Sequence, residues 1–398
     1  MERQSVKTTG VLSENDLPFD SAHLDRLLEK AKVDVILVTS KHNIQYLLGG
    51  YRFFFFDYSD AIGVSRYLPI LIYPAGYPEK AIYIGNAMEN SEVENKRFWC
   101  RTVETSSWGT LDAMGLAINH LRQLGLPTST IGIELAFMPI DAADALRSAL
   151  PDSRVVEAHL PLERLRALKT PGELDLIRIA SEQVVDSMRS VFASDVSGRS
   201  KRDIAAHLRR EELSRDLVFE YCLISAGASH NRAPNDTIVK DGDVVALDSG
   251  GRYKGYIGDL CRMGVAGQPT SELDDLLAEV EAIQQEARKP IRAGVRGGDI
   301  FSMAEAVLAK SPHRNLMHFV AHGMGIIGHE APRLSNRGPV TYGAYDVDLP
   351  LEAGMVLSVE TTMLHPQRGL LKLEDTLAVT VNGYDAFGDH GRGWNVAV

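Results

Sequence analysis

Four apolar runs in this chain end on a carboxylate: VVALD at Asp248, YIGD at Asp259, VLSVE at Glu360 and LLKLE at Glu374. Short runs of this composition read as strands whose side chains enter a core. Each strand therefore carries its acid toward the interior, where an unpaired carboxylate is strongly disfavoured. Four carboxylates on neighbouring strands also repel one another and drive each other's pKa upward. A bound cation removes the conflict. His322, in the Gly-rich stretch FVAHGMGIIGHE, adds an imidazole to the four acids. Oxygen donors with a single nitrogen suit Mn²⁺, Co²⁺ or Zn²⁺ better than a thiolate-seeking ion. Carboxylates that bridge also allow two ions roughly 3.5–4 Å apart.

The acids come in two similar segments. Gly242 precedes the strand ending at Asp248, and Gly354 precedes the strand ending at Glu360. Asp259 follows the first across a hairpin, and Glu374 follows the second. Two related halves facing each other are expected. Around them, Thr170-Pro171-Gly172-Glu173 is a helix start with an N-cap, an N1 proline and a capping box, and the helix is expected to reach Phe192. Further helices are expected over 200–214, 271–292 and 299–310, with strands over 218–225, 244–249, 256–265, 355–361 and 370–380. Short turns between the strands predict antiparallel hairpins.

The first 160 or so residues read differently. After a loose arm of about 20 residues, helices are expected over 21–31, 111–124 and 139–148, with strands over 33–39, 67–73, 81–85 and 129–134. This alternation predicts an α/β domain. The expected division is 1–162 for this domain and 163–398 for an α+β domain holding the acids. The length of 398 residues is compatible with two or three domains at about 150 residues each, and it gives a full core without staples.

Composition narrows the partners. The net charge of −11 opposes binding to a phosphate backbone or an anionic lipid surface, so neither nucleic acid nor membrane is expected. Val33–Val38 and Leu68–Tyr73 fall far short of the ~20 apolar residues a spanning helix needs. Three cysteines with no CxxC pair and no apolar leader suggest a reducing, cytoplasmic setting.

The segments DGDVVALDSGGRYKGYIGDLCRM, HFVAHGMGIIGHEAPR, LEAGMVLSVE, LLKLEDTLAVT and LERLRALKTPGEL together resemble the creatinase/prolidase/methionine aminopeptidase superfamily of pita-bread metallopeptidases. Similarity is greatest to Xaa-Pro dipeptidases and aminopeptidases P. It is specific over 165–390; the first 160 residues match in size and α/β pattern, including SKHNIQYLLGG. The resemblance implies a creatinase-like N-terminal domain, a pita-bread catalytic domain and a homodimer. It implies two divalent ions held by Asp248, Asp259, His322, Glu360 and Glu374, with a hydroxide between them that attacks a small Xaa-Pro peptide. Glu360 would be the general base, and His318 and His329 would bind substrate and stabilise the tetrahedral intermediate. Arg333 would hold a substrate carboxylate, and Arg262 would be structural.

Three positions depart from that pattern. Asn231 occupies the slot of a family histidine, and a loop one residue longer would return His230 to the catalytic role. VETTM (Val359–Met363) replaces the usual VEPG. Lys372 replaces an arginine, keeping the charge and losing the planar fork. These changes lie on the substrate side, and they motivate a second reading: a hydrolase or lyase of the same fold acting on a compatible-solute or guanidino-type small molecule. A non-catalytic scaffold would have no need of a buried acidic cluster. The run Phe53-Phe54-Phe55-Phe56 is expected as a core strand or dimer plug, or as an apolar wall offered to a neighbour's site.

Overall fold

The computed structural model describes residues 17–58, 67–126, 128–336 and 343–397. Most of the expected N-terminal arm lies outside them. The chain divides into two compact units, Met1–Leu165 and Arg166–Val398, a boundary three residues after the expected one.

Unit 1 is built on a six-stranded sheet: β1 (Val35–Val38), β2 (Ile70–Pro74), β3 (Ile82–Asn86), β4 (Thr102–Ser107), β5 (Thr130–Ile133) and β6 (Arg154–Glu157), in the order β4-β3-β2-β1-β5-β6. Its helices are α1 (Ser21–Ala31), α2 (Lys41–Leu47), α3 (Asn90–Glu94), α4 (Thr110–Gln123), α5 (Ile140–Ala149) and α6 (His159–Ala167), the last crossing the unit boundary. β1 is buried at every position because both faces are covered. Ile36 and Val38 pack with Leu24 and Leu28 of α1, while Val35 and Leu37 pack with Met114 and Leu146 of α4 and α5. It runs parallel to β5 and antiparallel to β2, so the sheet is mixed.

Five elements of unit 1 escaped the sequence reading, among them α3, a five-residue helix with no buried residue. α2 buries His42, Asn43 and Gln45, polar residues that hide a helical stripe. β4 and β6 are polar and only partly buried. The first two turns of α6 carry Pro161. The phenylalanine run also differs from expectation. It forms no strand; Phe54–Tyr58 is a single 3-10 turn, with Phe53 and Phe56 buried and Phe54 55 % exposed. Four consecutive aromatic side chains cannot all face one side of a strand, whereas a tight turn buries two and releases one.

Unit 2 contains α7 (Pro171–Ala193), α8 (Lys201–Leu213), β7 (Val218–Ala226), β8 (Val244–Tyr253), β9 (Tyr256–Val265), α9 (Ser271–Arg288), α10 (Gly297–Leu308), β10 (Met317–Gly323), β11 (Val356–His365), β12 (Gly369–Val379) and β13 (Tyr384–Phe387). Thr170 caps α7 as its sequence predicts: its hydroxyl accepts from Glu173 N and the Glu173 carboxylate accepts from Thr170 N. α9 ends four residues before the expected 292.

The sheet order β10-β11-β12-β9-β8-β7, antiparallel throughout, makes the two halves explicit. Each half is two helices followed by three strands. Val184 and Met188 of α7 pack on Val245, Leu247 and Leu260. Leu276, Val280 and Ile283 of α9 pack on Leu357, Val359 and Leu373. The opposite face carries the acids. β10 (Met317–Gly323), which holds His322, went unassigned because the glycines of FVAHGMGIIGHE mask its seven-residue strand.

Backbone contact fixes how closely α7 approaches β9. A Cβ on Gly258 would lie 2.7 Å from the main-chain carbon of Ala180, which cannot move without bending the helix. Gly258→Ala is therefore expected to lower the unfolding free energy by about 1–3 kcal/mol, measured by urea denaturation; unchanged stability would show that α7 yields.

In unit 1, His159 lies between two buried carboxylates, Nδ1 3.5 Å from Glu134 and Nε2 3.0 Å from Glu163. Burial lowers its pKa, but the two carboxylates more than reverse this and raise it to about 9. The folded value exceeds the ordinary 6.5. The stabilisation is thus complete below pH 6.5 and lost as the pH rises through 9. His159→Ala should lower the melting temperature most near pH 6, with the gap to wild type narrowing by pH 9.5. A gap that stays constant would mean the pair carries no charge in this range.

Candidate metal centre

Strand register brings the acids together. Asp248 lies opposite Cys261, Cys261 opposite Glu374, and Glu374 opposite Glu360, one row across β8, β9, β12 and β11. Paired residues share a face. Asp259 is two residues before Cys261, Lys372 two before Glu374, and His322 two beyond Val320, the partner of Glu360. The face therefore holds all five expected ligands. The register also corrects the repeat: stepping outward from the central Cys261–Glu374 pair, the counterpart of Asp259 is Lys372, and that of Glu374 is Cys261.

The ligand atoms of Asp259, His322 and Glu374 lie within 4.8 Å of one another, and all three residues are buried. Ser358 Oγ donates to Glu374 Oε1 at 2.8 Å, and Glu374 Oε2 is paired with the Lys372 ammonium at 2.8 Å. The Tyr221 hydroxyl donates to Asp259 Oδ1. Burial pushes the Asp259 pKa well above the usual carboxylate range, and the charges of Glu374 and Asp248 push it further. A buried carboxyl destabilised as an anion, a second buried carboxylate and an adjacent imidazole fit one divalent ion.

Asp248 and Glu360 have a different partner. Lys372 Nζ lies 2.6 Å from Asp248 Oδ2, 2.5 Å from Glu360 Oε2 and 2.8 Å from Glu374 Oε2. Arg232 Nη2 also bonds Asp248 Oδ2. Burial works against the Lys372 ammonium, yet the carboxylates raise its pKa well above normal. Burial would raise the Glu360 pKa, but Lys372 and His322 outweigh it and hold the carboxyl below its usual range.

A cavity of about 960 Å³ opens over this face. His318, His329, His230 and Thr362 line it along with four of the acids, Lys372 and Arg232. The His329 ring stacks on His322 with centroids 3.8 Å apart, and burial followed by the nearby His322, Arg333 and Lys372 lowers its pKa to about 3. Burial also lowers the pKa of His318. Both rings are neutral near pH 7 and can each donate one hydrogen bond.

His230, rather than Asn231, reaches the cavity; the Asn231 side chain turns back to accept from Ala233 N at 2.8 Å. Arg333 is not among the described lining residues, and its main-chain N–H donates to Asp346 at 2.8 Å. Thr361 points away, its hydroxyl donating to Gln284. Arg262 is fully buried and structural, clasping Asp375 at 3.1 Å and donating to the carbonyls of Glu374, Gly388 and His390.

Two site residues were missed by sequence reasoning. Tyr221 alternates into the face from FEYCLIS, and Arg232 sits two residues after His230; each carries a signal that emerges only once Asp248 and Asp259 are known to converge. Gly250 makes room for Tyr221, since a Cβ there would lie 2.5 Å from its ring.

A second cluster, His42, Glu134 and His159, occurs in unit 1. Here the carboxylate is already served by protein donors: Thr39 N at 2.7 Å, Ser40 N at 2.9 Å and Asn43 Nδ2 at 2.6 Å. It needs no ion. Among the described residues no helix is long and apolar enough to cross a membrane.

Comparison with known proteins agrees with this geometry. Residues 175–381 match metallopeptidase family M24, and residues 21–168 match the creatinase/prolidase N-terminal domain. The chain is 22 % identical to an Xaa-Pro dipeptidase of Pyrococcus horikoshii over 368 residues, covering 89 % of this chain and 93 % of that one. It is 29 % identical to the probable dipeptidase PepE of Mycobacterium tuberculosis over 278 residues, covering 68 % and 70 %. The crystal structure of a dipeptidase from Pyrococcus horikoshii superposes with a TM-score of 0.79 at 22 % identity, covering 95 % and 99 %. With both domains matched and its buried acids and histidine on one sheet face, the chain belongs to the M24 metallopeptidases and carries their creatinase/prolidase N-terminal domain.

Proposed function

We propose that this M24 metallopeptidase hydrolyses small Xaa-Pro-type peptides as a dipeptidase or short-range aminopeptidase. The observation that carries the reading is the buried Asp259–His322–Glu374 cluster, opening into a cavity lined by two neutral histidines. A cavity of about 960 Å³ is in the range used for small ligands. The printed names of the relatives, dipeptidases and Xaa-Pro dipeptidases, support the substrate class.

Asp259, His322 and Glu374 would hold a divalent ion such as Mn²⁺, Co²⁺ or Zn²⁺, with Glu360 and Asp248 as the further ligands that the resemblance implies. When bound, the ion supplies Lewis acidity to the scissile carbonyl and to water. Glu360 is held ionised by Lys372 and His322, so it is set to accept a proton at Oε1 or Oε2 and return it to the leaving amine. His329 and His318 would donate hydrogen bonds to the carbonyl oxygen as charge develops on it. His230 lies at the cavity wall, within reach of the substrate. Arg333 would act on a substrate carboxylate from outside the described lining. The three cysteines are free and buried, which supports a cytoplasmic setting; a homodimer rests on the resemblance.

The second reading, a non-peptide substrate, is favoured by Lys372 and Arg232 at the cavity floor. A panel of Xaa-Pro dipeptides, longer Xaa-Pro peptides and guanidino or compatible-solute compounds decides between them. Turnover of Xaa-Pro dipeptides by the metal-loaded protein is the expected result; turnover of only the non-peptide compounds would transfer the assignment. Glu360→Gln should lower kcat on the best substrate by about 10²–10⁴-fold with an unchanged circular dichroism spectrum. Undiminished turnover would remove Glu360 from the chemistry.

A further inference from the structure

The resemblance implies two ions on five ligands, but the ligands are not equally available. Asp259, His322 and Glu374 converge, with Glu374 Oε1 3.9 Å from His322 Nε2 and only Glu374 Oε2 paired with a cation. Asp248 is paired with two cations: its Oδ2 accepts from Lys372 Nζ at 2.6 Å and from Arg232. The same ammonium reaches Glu360 and Glu374 at 2.5 and 2.8 Å. Lys372 is 4 % exposed, and its charge is met by these three carboxylates. An ammonium ringed by three carboxylates has the ligand environment of a small cation.

Residue type matters here. A lysine ammonium is a compact point charge on a slender stem, whereas a guanidinium is a broad planar fork. Here the ammonium bonds three carboxylates from a single nitrogen. Charge agrees with geometry. Asp248, Asp259, Glu360 and Glu374 bring four negative charges to the face, and Lys372 and Arg232 return two positive ones. One divalent ion balances the remainder; a second would sit against a fixed ammonium and leave the face positive.

We propose that this site takes one divalent ion per chain, at Asp259, His322 and Glu374, and that the Lys372 ammonium occupies the position a second ion would take beside Asp248. The inference rests on the reading of this face as a metal centre. Asp248 then serves as the anchor of Lys372 and not as a metal ligand.

The test is metal counting on the full-length protein, stripped with chelator, reloaded with excess Mn²⁺, desalted and measured by inductively coupled plasma mass spectrometry. The expected count is one ion per chain for wild type and two for Lys372→Ala, whose seat is vacated. Electron paramagnetic resonance of the Mn²⁺ forms should change from an isolated six-line ion to an exchange-coupled pair. Because Lys372→Ala leaves carboxylates facing one another and can fail to fold, Asp248→Asn supplies an independent arm: it should keep one ion, whereas a two-ion site would lose one. A wild-type count of two overturns the inference and leaves the metallopeptidase reading intact. A count of zero with Mn²⁺, Co²⁺ and Zn²⁺ alike overturns both. A count of one in a folded Lys372→Ala shows that lysine is not what excludes the second ion, and overturns the assignment of its role.

Discussion

Four carboxylates share one face of one sheet, and the rest of unit 2 is arranged around the difficulty of keeping them there. Their desolvation is unfavourable whichever protonation state they adopt, and their mutual repulsion adds to it. The structure answers with cations and donors placed from every neighbouring strand: Lys372 from β12, Arg232 from the segment after β7, Tyr221 from β7 and Ser358 from β11. Beneath the same strands a second set of charges is fully closed. Asp375 is held by Arg262, Arg288 and Arg392, and these push its pKa far below the usual range against the effect of burial. The two clusters differ in kind. The lower one is saturated by protein groups and acts as a clasp between β9, β12 and the segment after β13. The upper one opens to a cavity, which is what a reactive centre requires.

Much of this was legible in the sequence because its causes are local. An apolar run that leads to an acid is readable as a strand from the run itself, although each strand continues about five residues beyond its acid, and the Thr170 cap is readable from four consecutive residues. Arg262 reads as structural through the resemblance, which places a strand arginine after the second acid. The elements that escaped depend on distant residues. β10 is a strand because β11 pairs with it along seven residues, and nothing within FVAHGMGIIGHE says so. α2 buries polar side chains whose partner, Glu134, lies about 90 residues away. The roles of Lys372 and Arg232 follow from the register of β12 against β9 and from a loop return, both invisible to a reading of spacing. The expected pairing of Asp259 with Glu374 across the repeat failed for the same reason. Sequence intervals suggested it, while hydrogen-bonded register sets the actual equivalence.

The histidines show how one cavity separates roles by environment alone. His322 lies flat against His329, and the outer ring is driven toward neutrality by burial and by the positive groups around it. In unit 1, by contrast, His159 is held protonated by two carboxylates. The same side chain serves as an electrically neutral donor in one unit and as a fixed cation in the other. Neither outcome follows from residue identity; each follows from which charges the fold places within a few ångströms.

The approximate two-fold relation between the halves has a consequence for anything that enters the cavity. Backbone symmetry alone would offer a ligand two equivalent ways to lie across the Cys261–Glu374 axis. The occupants of matched positions break that equivalence: an acid faces a lysine where Asp259 corresponds to Lys372, and a thiol faces an acid where Cys261 corresponds to Glu374. On the outer strands, His322 opposite Ser358 is matched by Ser225 opposite Ala246. The cradle thus has a head and a tail. A chain-like molecule with distinct ends is held in one direction only, and polarity of binding arises here from a duplicated scaffold whose copies have diverged in charge.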